Sequence, residues 1–181
     1  MQDDYTHPTA IFAHGKESGP WGSKITRLAA SARELGFRVT SIDYQGIDSP
    51  QARLEHLLSH NPQGTPLVLV GSSMGGYVSA MAAATLNPEA LFLMAPALYM
   101  DGYPGDPAGC PSDTEVVHGW DDDIVPLASS LAFAKRRRAR LHLVPDDHRL
   151  AASLDFIDAI FRDQLTRVRA AHSSADSVSA R

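Results

Sequence analysis

The sequence predicts an α/β protein in which about six mostly parallel strands form a sheet with helices on both faces. Three observations carry that expectation. Short aliphatic runs alternate with longer stretches of helical period from residue 9 to about residue 168. The middle runs, "PLVLVG" and "EALFLMA", are apolar almost throughout, as strands buried on both faces of a parallel sheet must be. The length of 181 residues, with 44% hydrophobic and 20% charged, suits one domain with a sizeable core. That domain is expected over residues 1–168, with residues 169–181 as a disordered tail.

"TAIFAH" (9–14) reads as the first strand. After a Gly/Pro/Trp loop, residues 23–35 put Ile25, Leu28, Ala29, Ala32 and Leu35 on one helical face before Gly36 ends it. "FRVTSIDY" is the second strand. Ser49 and Pro50 supply N-cap and first-turn residues for a helix whose buried stripe is Leu54, Leu57 and Leu58. "PLVLVG" follows as a central strand, then a helix from about Met74, then a strand in "EALFLMA". A loop of about 19 residues (95–113), rich in Pro, Gly and Asp, is long for a connection. A strand in "TEVVHG", a helix over 126–138, a strand in "RLHLVP" and a helix over about 150–168 complete the series. "HSSADSVSAR" has the composition of a disordered segment.

Composition narrows the function classes. A formal charge of −5 argues against a nucleic-acid footprint, which needs clustered excess Lys and Arg. The basic run Lys135-Arg136-Arg137-Arg138, with Arg140, falls at a helix end, where cations favour the negative dipole, and reads as a solvated terminus. The single cysteine, Cys110, permits no internal disulfide and has no neighbouring His or thiol for metal chemistry. The N-terminus carries acids where a signal peptide needs positive charge, and no apolar stretch approaches the ~20 residues of a membrane span. A cytoplasmic protein without membrane contact is expected; the sequence says nothing of its oligomeric state.

The chemistry begins at Gly71-Ser72-Ser73-Met74-Gly75, a G-x-S-x-G sequence between a predicted buried strand and a predicted helix. Glycines two positions either side of Ser73 allow a sharp strand-to-helix turn that holds the serine in strained geometry and lets neighbouring elements approach closely. Ser72 fails that spacing, so Ser73 is the candidate nucleophile. The helix starting near Met74 also points backbone N–H groups toward an oxyanion beside Ser73. The alternative is a small-residue turn that only packs helix on strand.

A serine hydroxyl needs a base and an orienting acid, which in this architecture follow in the order Ser, Asp or Glu, His. Both appear. "VVHGWDDDIVP" ends a strand and offers three aspartates, Asp121, Asp122 and Asp123, on the loop before a Pro-started helix. "LVPDDHRLAAS" ends the last strand and puts His148 on the loop after it. Of the other histidines, His7, His56, His60 and His172 lie in polar terminal or helix-end contexts, and His142 lies within a strand pattern and packs. His14 and His118 precede glycines at strand ends, where they shape loops, but both come before the aspartates.

Together "FAHGKESGPWGSK", "GSSMGG", "HGWDDDIVP" and "DDHRL" resemble the compact, lidless esterases of the α/β-hydrolase superfamily, over most of residues 9–165. The resemblance implies the minimal α/β-hydrolase fold with no cap domain. In that family the pattern H-G-x-x-D-x-x-V-P carries the triad acid at its D, here Asp122, with His148 as the base. The family's H-G-x loop implies an oxyanion N–H from Lys16, and the residue after the nucleophile, Met74, supplies the other. Lys16 departs from the apolar residue often found there, and its side chain either stays in solvent or attracts an anionic substrate. Where larger relatives insert a lid, this chain has only the 95–113 loop, and Leu98, Tyr99, Met100 and Tyr103 either roof an acyl pocket or cover the sheet edge.

The resemblance implies acyl transfer on a small-molecule ester by a Ser73–His148–Asp122 triad, with no cofactor and no metal. Thioester, lactone or peptide cleavage would use the same constellation, and a non-catalytic binding module of the same fold is the remaining class.

Overall fold

The computed structural model describes residues 7–179, with side chains described through residue 174. Its elements are β1 (Thr9–Ala13), α1 (Ser23–Glu34), β2 (Arg38–Ile42), α2 (Pro50–Ser59), β3 (Leu67–Ser72), α3 (Met74–Leu86), β4 (Ala90–Met94), β5 (Asp113–Gly119), α4 (Leu127–Arg137), β6 (Arg140–Val144) and α5 (Leu154–Ser179). The six strands form a sheet in the order β2-β1-β3-β4-β5-β6, and every neighbouring pair is parallel.

The period-two alternation of each strand decides which helices cover it. Ala10 and Phe12 of β1, Val68 and Val70 of β3, and Ala90, Phe92 and Met94 of β4 face Ile25 and Leu28 of α1 and Ile157 and Phe161 of α5. Ile11, Leu69, Leu91 and Leu93 point the other way, onto Leu54 and Leu57 of α2, Tyr77 and Val78 of α3, and Phe133 of α4. Phe161 sits edge-on to both Phe12 and Phe92, at 6.1 and 5.0 Å between ring centroids, and burial of such a ring contributes roughly 1.5–3 kcal/mol. Local signals close the ends: the Ser49 hydroxyl accepts from the Ala52 N–H at 3.2 Å, and Gly36, at φ 80°, turns the chain out of α1.

Two features differ from the sequence expectation. The backbone of residues 169–179 continues α5 where a disordered tail is expected. Ala170 and Ala171 favour helix, the Ser173 and Ser174 hydroxyls donate to carbonyls one turn back, and Arg169 donates to the free Leu35 carbonyl beyond α1, so this stretch has local partners. The basic end of α4 is also more than a solvated terminus. Arg136 and Arg137 both pair with Asp106 at 2.9 and 2.7 Å, and the Tyr99 hydroxyl donates to the same carboxylate at 2.6 Å.

Those contacts tether the β4–β5 connection, which the Tyr77 hydroxyl, donating to the Pro104 carbonyl at 2.9 Å, pins to α3 as well. It adds no cap to the sheet.

Candidate active site

In this strand order the chain leaves β1 toward one sheet edge and, after β2, returns to β3 on the other side, so a crevice opens at the carboxyl ends of β1 and β3. Ser73 stands there, between β3 and α3, at φ 54° and ψ −119°. Such geometry costs about 1–3 kcal/mol and persists only where the surroundings impose it. Its N–H donates to Met94 O at 2.9 Å, and its carbonyl accepts from Gly76 and Ala97 N–H at 2.9 and 3.0 Å. The flanking glycines are required by contact: a Cβ on Gly71 would lie 2.2 Å from the Gly75 carbonyl oxygen, and one on Gly75 2.0 Å from that of Ala13. Ser72 is buried in the last position of β3, whereas Ser73 is partly exposed.

The structure brings Ser73, His148 and Asp122 together from three loops. His148 Nδ1 lies 2.7 Å from Asp122 Oδ2, and its Nε2 lies 3.0 Å from Ser73 Oγ. An ionised carboxylate only accepts, so Nδ1 carries the proton and Nε2 is left to accept from the serine hydroxyl. Asp122 Oδ1 accepts from the Ile124 and Val125 N–H groups at 2.9 and 2.8 Å, which satisfies a side chain that is wholly buried. Asp121 and Asp123 are exposed. Of the three aspartates, Asp122 is the one whose carboxylate meets His148.

His118 and His14 lie beneath these groups, both buried. His118 Nε2 faces the Val125 carbonyl at 3.0 Å and Asp122 Oδ2 at 3.3 Å, so it must be the protonated nitrogen, while Nδ1 accepts from the Ser130 hydroxyl at 2.8 Å. His14 Nδ1 donates to Gly15 O at 2.7 Å and Nε2 accepts from the Tyr44 N–H at 2.9 Å. Burial lowers the pKa of both rings, which keeps them neutral spacers. Lys24, in the first turn of α1, also has a lowered pKa through burial, opposed by the charges of Asp122, Asp146 and Asp147.

Gly15 packs against the serine: a Cβ built on it would lie 3.5 Å from Ser73 Cβ. Lys16 follows in a turn and is exposed, and Met74 opens α3. Of the loop candidates, Leu98 is buried in the core between sheet and helices, Tyr103 packs edge-on to Tyr77 at 5.4 Å, Tyr99 is held by Asp106 with Arg136 over its ring, and Met100 is half-buried. A residue absent from the sequence reading is Arg53, fully buried in α2 beneath the H-G loop. Its neighbours Leu54 and Leu57 marked the buried stripe, but nothing local told that a guanidinium joins them. Among the described residues no group of three or more His, Cys, Asp or Glu side chains is arranged to hold a metal ion, and no helix is long and apolar enough to cross a membrane.

The profile of the alpha/beta hydrolase family matches residues 10–181. A protein of the alpha/beta hydrolase superfamily from Xanthomonas campestris pv. campestris is 36% identical, with 88% of this chain and 99% of that one covered at a TM-score of 0.81. A second Xanthomonas campestris structure, described as an α/β serine hydrolase without lid, is 26% identical over 92% of this chain and 85% of its own, at a TM-score of 0.66. Est1E from Butyrivibrio proteoclasticus shares the fold at a TM-score of 0.75 with 18% identity, over 93% of this chain and 90% of its own. No curated protein matches the chain.

Proposed function

This chain belongs to the alpha/beta hydrolase family, and we propose that within it the protein is a serine hydrolase that cleaves small carboxylic esters through an acyl-enzyme. The observation that supports this reading best is the relay from Ser73 Oγ through His148, at 3.0 Å, to Asp122, at 2.7 Å, on a strained elbow with the imidazole tautomer already correct. Ser73 Oγ attacks the carbonyl carbon as His148 Nε2 takes its proton. Asp122 holds the imidazole and stabilises its charged form. The Lys16 and Met74 backbone N–H groups receive the developing oxyanion. His148 returns the proton to the departing alcohol, and a water, activated by the same imidazole, releases the acid.

A fluorophosphonate probe tests the premise, because only an activated serine reacts with it. The wild type is expected to label and Ser73→Ala to remain unlabelled; an unlabelled wild type would remove the serine mechanism. A panel of p-nitrophenyl ester, thioester and anilide substrates then separates esterase from thioesterase and amidase chemistry, with the ester expected to turn over fastest.

Acyl length is the second expectation. The β4–β5 connection spends Leu98, Tyr99 and Tyr103 on contacts with the core, α3 and α4, so little apolar wall is left for a long chain. Each methylene that does find burial would contribute about 0.8 kcal/mol, roughly fourfold in kcat/KM. From acetate to palmitate, kcat/KM is expected to be greatest among the short esters, without a rise in rate as substrate passes its solubility limit. A steady climb to the longest chains, or interfacial activation, would mean that the 95–113 loop builds an acyl tunnel.

A further inference from the structure

Arg53 is 2% exposed, and a buried guanidinium is an expensive way to fill space that an apolar side chain would fill more cheaply. Its position relates it to the nucleophile. From α2 its Nε donates to the Ile47 carbonyl at 2.7 Å, and Nη1 donates to both the His14 and Gly15 carbonyls at 3.2 Å, in the loop that packs against Ser73. The Tyr44 ring lies against the guanidinium at 5.4 Å, and Asp43, Asp48 and Tyr103 are the titratable groups that also face it.

The peptide unit joining Gly15 to Lys16 makes that contact consequential. Its C=O and N–H point in opposite directions because the unit is planar and trans. The Gly15 carbonyl accepts from Arg53 Nη1 at 3.2 Å and His14 Nδ1 at 2.7 Å, with the Ser18 hydroxyl a longer third donor at 3.5 Å, and so the Lys16 N–H must point away from Arg53 and His14. Among the described residues that N–H donates to no backbone or side-chain acceptor. If Gly15 C=O were released, the peptide could rotate and carry the donor away from Ser73. Without Arg53 the carbonyl would keep only bonds from its own loop, those of His14 and Ser18, which move with the loop, whereas Arg53 Nη1 ties both carbonyls to α2.

We propose that Arg53 is a positioning residue for the oxyanion site: it clamps the His14 and Gly15 carbonyls and thereby fixes the Lys16 N–H toward the oxyanion formed at Ser73. The proposal rests on the serine-hydrolase reading and adds to it a cation that acts only through the loop. Arg53 touches neither substrate nor Ser73, so its effect falls on transition-state stabilisation, leaving substrate binding and the Asp122–His148 pair alone.

The test compares wild type, Arg53→Lys and Arg53→Met on p-nitrophenyl acetate, with melting temperature, kcat, KM and the pH profile of kcat/KM measured for each. Loss of a whole oxyanion donor costs about 10²–10³ in kcat, so a misaimed donor is expected to cost roughly 10- to 100-fold in Arg53→Met. Arg53→Lys, which keeps the charge but loses the fork, should fall between it and wild type. KM should stay within about threefold and the pH profile should not move, because the imidazole is untouched. A folded Arg53→Met with kcat within twofold of wild type overturns the proposal, as does a loss of rate accompanied by a displaced pH profile, which would place Arg53 in the triad's support instead. Should Arg53→Met not fold, Arg53→Lys decides by the same criteria. A wild type that neither labels with fluorophosphonate nor turns over ester removes the serine mechanism and this role with it, whereas labelling by wild type together with unimpaired variants removes this role alone.

Discussion

Ser73→Ala and His148→Ala are each expected to lower kcat for a short ester by about 10⁴- to 10⁶-fold, with a melting temperature close to that of wild type. The rate loss follows from the proposed chemistry, since without Oγ no acyl-enzyme forms and without the imidazole the hydroxyl keeps its proton. The intact fold follows from the structure. Ser73 is held by its backbone bonds to Met94, Gly76 and Ala97, none of which involves its side chain, and the His148 ring is partly exposed. The double variant should be about as slow as either single one, because the two side chains act as a unit. Ser72→Ala, which changes a buried position of β3, should cost at most a few-fold in kcat. Activity that survives Ser73→Ala but not Ser72→Ala would move the nucleophile.

Asp122→Asn is the next largest expectation, at about 10⁴-fold in kcat. The four groups around this carboxylate are all donors: the Ile124 and Val125 N–H groups on Oδ1, and His148 Nδ1 and His118 Nε2 at 2.7 and 3.3 Å from Oδ2. An amide can satisfy only one side of that set. If its oxygen keeps the two backbone bonds, its NH₂ confronts His148 Nδ1, and the ring then moves its proton to Nε2, where it can no longer accept from Ser73. Turnover of p-nitrophenyl acetate by Asp121→Asn and Asp123→Asn, both exposed positions, should stay within a few-fold of wild type. A larger loss from either would move the orienting acid along the loop.

Much of this is legible in the sequence. The apolar runs mark β1, β3 and β4 to within a residue or two, because a strand buried on both faces tolerates little else, whereas the edge strands β2 and β6 are partly exposed. The elbow was legible for a steric reason: only glycine leaves room for the Gly75 carbonyl and the Ala13 carbonyl at the distances seen. Among the histidines at strand ends the order Ser, Asp, His singles out His148, since His14 and His118 precede the aspartates; His142 and His172 also follow them but lie within a strand pattern and in a polar terminal segment. The extension of α5 to Ser179 is not legible in the sequence, because polar, small-residue composition looks alike in a disordered tail and in an exposed helix.

The sequence by itself thus determined the fold, the nucleophile candidate and the histidine that could serve it, because each depends on spacing within a short segment or on chain order. The tertiary structure alone decided which nitrogen of each buried histidine holds its proton and why α2 buries an arginine, and it sets against His148 the aspartate, Asp122, that the resemblance implies. Those outcomes depend on donors and acceptors from segments dozens of residues apart, such as the carbonyls of His14 and Gly15 that meet Arg53. A hydrogen-bond partner contributed by a distant loop leaves no periodicity in the residue that uses it, so it becomes visible only once the sheet has brought the loops together.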